Sequence, residues 1–288
     1  MSETTSVANI VAPYRREPLV RKTLLGLTFC SPLVLIFLLL VITPITYMIY
    51  MGLDASIYPA IFSDPIFIQT LWNTVIFVGV AVNVKMLLSL VLSAIFNQEN
   101  RTARILAGVF LLPWAIPALP GILAFRWMLN GQWGIVNKIL NDLGFAGYPW
   151  LVRRNTAIGA AITYHILKYL PFWTLIFVAG RRSIPKEMYE AGVIDGTSPL
   201  QKFRYITFPM LRNLYLICSL LSMVFTLGDF VIIKIMTGGA PGDSTHVLAT
   251  LAYRYTFQMA RLDWGIGTFV TALPVTLLFI FILIRWVK

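Results

Sequence analysis

Three observations predict an all-α polytopic membrane protein with six transmembrane helices. Long apolar runs carry few charges, charged residues make up only 12% of the chain, and one charged insert at 184–210 separates two apolar blocks. Ordinary globular chains carry roughly 25% charged residues, whereas here 58% of 288 residues are hydrophobic and the mean hydropathy is +0.78. A net charge of +11 would point a soluble protein towards nucleic acid. In a membrane chain the position of the basic residues relative to the spans carries the information instead.

Residues 1–22 read as a polar tail ending in Arg15, Arg16, Arg21 and Lys22, and 23–288 as the membrane domain. The first apolar segment, 23–53, exceeds the 7–15 residues of a signal-peptide core and lacks a clear cleavage site, so it reads as an uncleaved span. About 20 apolar residues cross a bilayer, and Pro32 and Pro44 are expected to kink this one. Span two covers about 70–96. Span three, about 105–129, contains LLPWAIPALPG, whose Pro113, Pro117, Pro120 and Gly121 predict a kinked or partly unwound helix. Span four covers about 156–180, span five about 211–236 and span six about 263–287. Cys30 and Cys218 lie singly in apolar runs, without disulfide or metal-ligand spacing.

Charge sets the orientation. The tail, the 97–104 turn, the polar insert taken from Arg181 through Arg212, and the C-terminus hold 14 basic and 6 acidic residues; the three opposite loops, with Asp263 at the edge of the last, hold 5 of each. Basic residues are retained on the cytoplasmic side. Both termini and the insert are therefore expected in the cytoplasm.

Ionisable residues inside spans are costly and usually functional. Lys234 and Arg126 fall near span ends, where snorkelling suffices, and Lys85 in the inner half of span two is read the same way. His165 and Lys168, three apart, share a face of span four with Tyr164 and Tyr169 nearby. They either make helix–helix contacts or line a substrate route. Asp229 is the sole acid within a span; it either pairs with Lys168 or accepts hydrogen bonds from a polyol. Trp114, Trp127, Trp133, Trp150, Trp173 and Trp264 are mostly explained as an interfacial aromatic belt.

Nucleotide-binding and hydrolase signatures are missing from the chain. TGGAPGDST, 237–245, lacks the lysine of a phosphate loop and carries Asp243 instead, so it reads as a flexible external loop. No internal repeat supports an inverted-repeat transporter.

The insert is punctuated as two short helices. Pro185 suits a first helical turn, with Glu187 and Glu190 close to the positive dipole end. Asp195-Gly196 supplies a turn, Ser198 and Gln201 form a capping box, and Pro199 starts a second helix that Pro209 ends or kinks. Glu190-Ala191-Gly192, then Asp195-Gly196, then Ile206 and Pro209, resemble the EAA loop of binding-protein-dependent ABC importer permeases. Asn73-Thr74, LLPWAIP, LKYLPF at 167–172, IPKEMYEA and TGGAPGDST resemble the carbohydrate branch of that family. The departures are Gly192 and Thr197, where alanines are usual.

The resemblance implies a membrane subunit without catalytic chemistry of its own, in a bacterial or archaeal cytoplasmic membrane. It implies a second homologous permease subunit, two ATPase subunits holding ATP and Mg, and an extracytoplasmic substrate-binding protein. The loop at about 181–210 would be a coupling helix pair between spans four and five that docks on the ATPase through Glu187, Glu190, Ala191, Gly192, Asp195, Gly196, Ile206 and Pro209. Tyr164, His165, Lys168 and Asp229 are the expected pathway residues for a carbohydrate, polyol or sugar acid. The rival expectation is a stand-alone ion-coupled transporter that uses His165, Lys168 and Asp229 as a proton relay.

Overall fold

The computed structural model describes residues 19–98 and 100–287, so most of the predicted polar tail lies outside the described residues. Among the described residues there are helices and connecting turns but no strands. Five helices are long and apolar enough to cross a membrane, and a sixth crossing is counted if one sharply bent pair forms a single span. Contacts divide the chain into two compact units, 1–53 and 54–288.

The first unit contains α1 (Leu19–Phe37) and α2 (Thr43–Gly52), joined by a π-helical turn, Leu38–Ile42. The Thr43 N–H reaches back five residues to the Leu38 carbonyl. That wider turn lets Pro44, which has no N–H to donate, enter the helix without breaking it.

In the second unit, a 3₁₀ turn and α3 (Tyr58–Phe62) lead to α4 (Pro65–Phe96), capped by Asp64, whose carboxylate accepts from the Ile66 N–H at 2.8 Å. Next come α5 (Arg101–Phe110), α6 (Leu112–Ala115) and α7 (Ala118–Met128), with a 94° bend between α6 and α7. A short α8 (Ile135–Asp142) precedes α9 (Arg154–Arg182). The insert forms α10 (Lys186–Ile194) and α11 (Pro199–Lys202), and a π-helical turn carries α11 into α12 (Phe208–Leu227). The second insert helix is thus the start of span five: 199–227 is continuous, and Pro209 sits just after the π turn, as Pro44 does. The chain ends with α13 (Val231–Met236), α14 (Leu248–Tyr253), α15 (Leu262–Val270) and α16 (Ala272–Val287).

Helices α4 and α9 form the most extensive interface, and α12 packs on both. Ala81, Ala157 and Ala161 are fully buried, small side chains of the kind that let membrane helices approach closely. A Cβ on Gly180 would run into the Leu211 and Leu214 side chains of α12. On α4, Trp72, Ile76, Val80, Val84, Leu88, Val91 and Ile95 are exposed, whereas Asn73, Thr74, Ala81, Lys85 and Ser89 are buried. The outward face is largely apolar, with Asn83, whose amide donates to the Gly79 carbonyl at 2.7 Å, as an exposed exception, and most of the polar residues turn inward.

Candidate functional site

The centre of the second unit holds a chain of three ionisable groups, two from helices and one from the break between α12 and α13. Lys85 on α4 approaches His165 on α9, Nζ to Nε2, at 2.9 Å, and His165 Nδ1 lies 3.0 Å from Asp229 Oδ2. A carboxylate only accepts, so Nδ1 carries the imidazole proton and Nε2 is left to accept from Lys85. The Thr226 hydroxyl completes the shell, 3.1 Å from Nε2. Asp229 stands where α12 has ended and α13 has not begun, and its Oδ1 accepts from the Ile232 N–H at 3.3 Å.

The cluster forms part of the wall of a cavity of about 450 Å³. Trp114, Tyr169, Phe172, Trp173, Phe225 and Phe230 supply aromatic walls. Trp114 stacks on Phe172 with ring centroids 5.6 Å apart and planes 19° apart. Such a site presents flat apolar faces with a few convergent polar atoms, as small-molecule sites generally do.

The four expected pathway residues separate here. His165 and Asp229 meet in the cavity wall. Lys168 turns away from Asp229 and donates to the carbonyls of Ile116, at 2.8 Å, and Pro113, at 3.4 Å. Tyr164 packs on Phe125, its hydroxyl 3.4 Å from the Ala118 carbonyl, in space that a Cβ on Gly121 would take. Lys85 does not snorkel: it is 1% exposed and held by His165. Its place on the polar face of α4 was the available signal, since Thr74 and Ser89 share that face. Trp114 and Trp173 line the cavity wall, two tryptophans whose place the sequence left open between an interfacial belt and a cavity.

The insert is rooted in the same helices. Arg181, at the end of α9, donates to Ser93 Oγ at 2.6 Å and to the Leu90 carbonyl at 3.1 Å, both on α4. Tyr189 and Thr207 share a hydroxyl–hydroxyl bond of 3.0 Å. The capping box is present in full: the Ser198 N–H donates to Gln201 Oε1 at 2.7 Å, and the Gln201 N–H to Ser198 Oγ at 3.3 Å. Gly196 has φ +71°, open to glycine at no steric cost. Glu187, Glu190 and Ala191 are exposed, and so are Asp195 and Pro209. Gly192 is buried and faces inward: a Cβ there would lie 3.0 Å from Ile206 Cδ1 and 3.0 Å from Thr197 Oγ1. The Thr197 hydroxyl donates to the Gly192 carbonyl. The two departures from the usual alanines therefore touch each other, and Gly192 accommodates this chain's own side chains.

The 237–245 loop is tied down rather than free. Asn73 Nδ2 donates to the carbonyls of Ser244 and His246, both at 2.8 Å, and Asn73 Oδ1 accepts from Arg154 at 2.6 Å. The Leu248 N–H donates to Thr74 Oγ1 at 2.9 Å. Asp243 pairs with Arg254, which holds its carboxyl below the usual carboxylate range; burial lowers the His246 imidazole. Gly239, at φ +98°, leaves room for the His246 ring. A second small core of Ile61, Phe67, Leu248, Leu251 and Tyr255 lies nearby, where the Tyr255 hydroxyl donates to Asp64 Oδ2 at 2.5 Å.

The fold and site define a multi-pass, all-helical membrane protein with a polar, aromatic-walled cavity inside its helices. Residues 85–288 match the model of the binding-protein-dependent transport system inner membrane components, and the chain belongs to that family of ABC transporter permeases. It is 30% identical over 277 residues to the trehalose/maltose transport system permease protein MalF of Thermococcus litoralis, covering 92% of this chain and 93% of that protein. It is 31% identical over 256 residues to the sulfoquinovosyl glycerol transport system permease protein SmoG of Agrobacterium fabrum, covering 84% and 83%. The fold matches a chain of a bacterial ABC transporter involved in import of the acidic polysaccharide alginate, with a TM-score of 0.82 at 19% identity over 93% of this chain and 96% of that one.

Proposed function

We propose that this chain is one transmembrane subunit of a carbohydrate importer, with six spans and both termini in the cytoplasm. It moves a sugar, polyol or sugar acid delivered by an extracytoplasmic binding protein, alongside a second permease subunit. Two ATPase subunits, which hold ATP and Mg, drive it. The names of its trehalose/maltose and sulfoquinovosyl glycerol relatives support the substrate class. The basic excess around the insert supports its cytoplasmic placement.

One observation carries the coupling: α10 lies in the connection between α9 and α12, and those two helices reach the cavity through His165 and Phe225, with Asp229 just past the end of α12. Exposed Glu190 offers a charge-assisted bond to an arginine of an ATPase groove, and Ala191 allows close approach. Because Arg181, Ile184 and Tyr189 root the loop in the helices, displacement of α10 moves α9 and α12 as rigid bodies, the usual form of such transitions. ATP-driven closure of the ATPases then rocks the cavity open to the outside.

The test replaces Gly196 with valine and Glu190 with lysine, and measures sugar uptake together with co-purification of the ATPase. The expected result is loss of both, with the membrane subunit still present at normal levels. Normal uptake and association in Gly196→Val would remove the coupling assignment. Uptake that survives ATP depletion and collapses with an uncoupler would replace the importer by an ion-coupled transporter.

A further inference from the structure

We infer that the ligand of the cavity is an uncharged polyhydroxyl compound, as opposed to a uronate, sulfonate or sugar phosphate. The inference rests on the carbohydrate reading above and narrows it. Counted from the sequence, the spans carry Lys85, Arg126, Lys168 and Lys234 against Asp229 alone, a surplus that would welcome an anion. The structure distributes those charges differently.

Of the four cations, only Lys85 borders the cavity. Lys168 is committed to the Ile116 and Pro113 carbonyls, Arg126 donates to the Ile235 carbonyl at 3.0 Å, and Lys234 lies over the Tyr253 ring at 4.8 Å. Lys85 is balanced by Asp229 through His165, so the lining is electroneutral. The carboxylate is also the more accessible of the two charges: the Asp229 side chain is 8% exposed, while Lys85 is 1% exposed. An anion entering this space meets a carboxylate of its own sign in a low-dielectric setting, where repulsion is poorly screened.

A neutral polyol meets the opposite situation. Asp229 Oδ1 has one long bond, 3.3 Å to the Ile232 N–H, and retains acceptor capacity for a hydroxyl donor. The hydroxyl then makes a charge-assisted bond, while the C–H face of the ring lies on the Trp114 and Phe172 surfaces.

The experiment uses the complete transporter, purified with its ATPases, second permease and binding protein, and reads ATPase stimulation by maltose, trehalose and sorbitol against galacturonate and glucose 6-phosphate. Stimulation confined to the neutral compounds is expected. In Asp229→Asn the apparent affinity for the active neutral compound is expected to fall about tenfold, the worth of one charge-assisted bond, and Asp229→Glu is expected to recover part of it. Galacturonate or glucose 6-phosphate as the active compound, with the neutral ones silent, would overturn the inference and leave the carbohydrate reading standing. Silence towards all five would overturn the carbohydrate reading and the inference with it. Because the panel is run on the unaltered protein, a variant that fails to assemble does not blunt the test.

Discussion

The Nζ of Lys168 donates to the Ile116 carbonyl at 2.8 Å, and four residues beyond Ile116 is Pro120, which has no N–H. The second acceptor, the Pro113 carbonyl at 3.4 Å, is likewise four residues before a proline, Pro117. An α-helix pairs each carbonyl with the N–H four residues on; Pro117 has none to give Pro113, and Ile116, extended at φ −64° and ψ 132°, has already left the helix, so both carbonyls lack a helical partner. One ammonium group from α9 serves both at the α6–α7 bend, and so holds the segment that places Trp114 on the cavity wall.

Lys168→Met removes that donor and leaves the carbonyls without it. We expect a loss of about 1–3 kcal/mol in stability, with a lower melting temperature in detergent and partial recovery in Lys168→Arg. An unchanged melting curve for Lys168→Met would show that the bend needs no donor.

His165 joins a buried cation to a buried carboxylate, so its removal strands both. His165→Ala is expected to cost about 3–5 kcal/mol, as breaking a buried ionic network does. The double variant Lys85→Met/Asp229→Asn, which removes both charges, is expected to lose less than the sum of its single changes. Chemical unfolding of the four proteins in a double-mutant cycle measures this; strict additivity would show that Lys85 and Asp229 do not interact through the imidazole.

Gly192 and Thr197 form one contact, so their substitutions are expected to couple. Thr197→Ala loses the hydroxyl bond to the Gly192 carbonyl, and Gly192→Ala pushes a methyl group against Thr197 Oγ1 and Ile206 Cδ1, each 3.0 Å from its ideal position. Together they relieve one of the two clashes and gain about 1 kcal/mol in helix propensity. The pair is expected to be more stable than the sum of the singles by about 0.5–1 kcal/mol, read from melting temperatures and from ATPase co-purification.

The 237–245 loop is expected to weaken in acid. Arg254 lowers the Asp243 carboxyl below the usual carboxylate range, and burial lowers the His246 imidazole below its ordinary value, with Asp243 opposing and Arg254 and Lys234 adding to that fall. A group depressed on folding contributes stability that is complete above its unfolded pKa and is lost as pH falls through the folded value. Loop protection, read by hydrogen exchange at Thr245 and Leu248, is therefore expected to decline first below about pH 6.5, from His246, and again below about pH 4, from Asp243. His246→Gln is expected to remove the first step only; an unaltered profile in that variant would assign the step elsewhere.

Much of this architecture was legible in the chain. The long apolar helices, the broken third span and the capping box between Ser198 and Gln201 all depend on residues a few positions apart, so local chemistry determines them. The EAA-like loop was legible for the same reason, as a short ordered motif. The continuity of 199–227 was harder to read, because a π turn lets the chain pass Pro209 where an α-helix would have stopped.

The partners of the buried charges were a different matter. Lys85 and His165 are 80 residues apart, and Lys168 and Ile116 are 52 apart. Sequence alone determined that this protein spans a membrane, that its third span breaks at its prolines and which family motif it carries, since those follow from hydropathy and short-range bonding. Tertiary structure decided that Asp229 answers His165 and not Lys168, that Lys85 faces inward, and that the charge-balanced wall of the cavity is built from α4, α6, α9 and the segment around the α12–α13 break. A buried charge takes whichever partner the packing brings within about 3 Å, and distance along the chain carries no record of that choice.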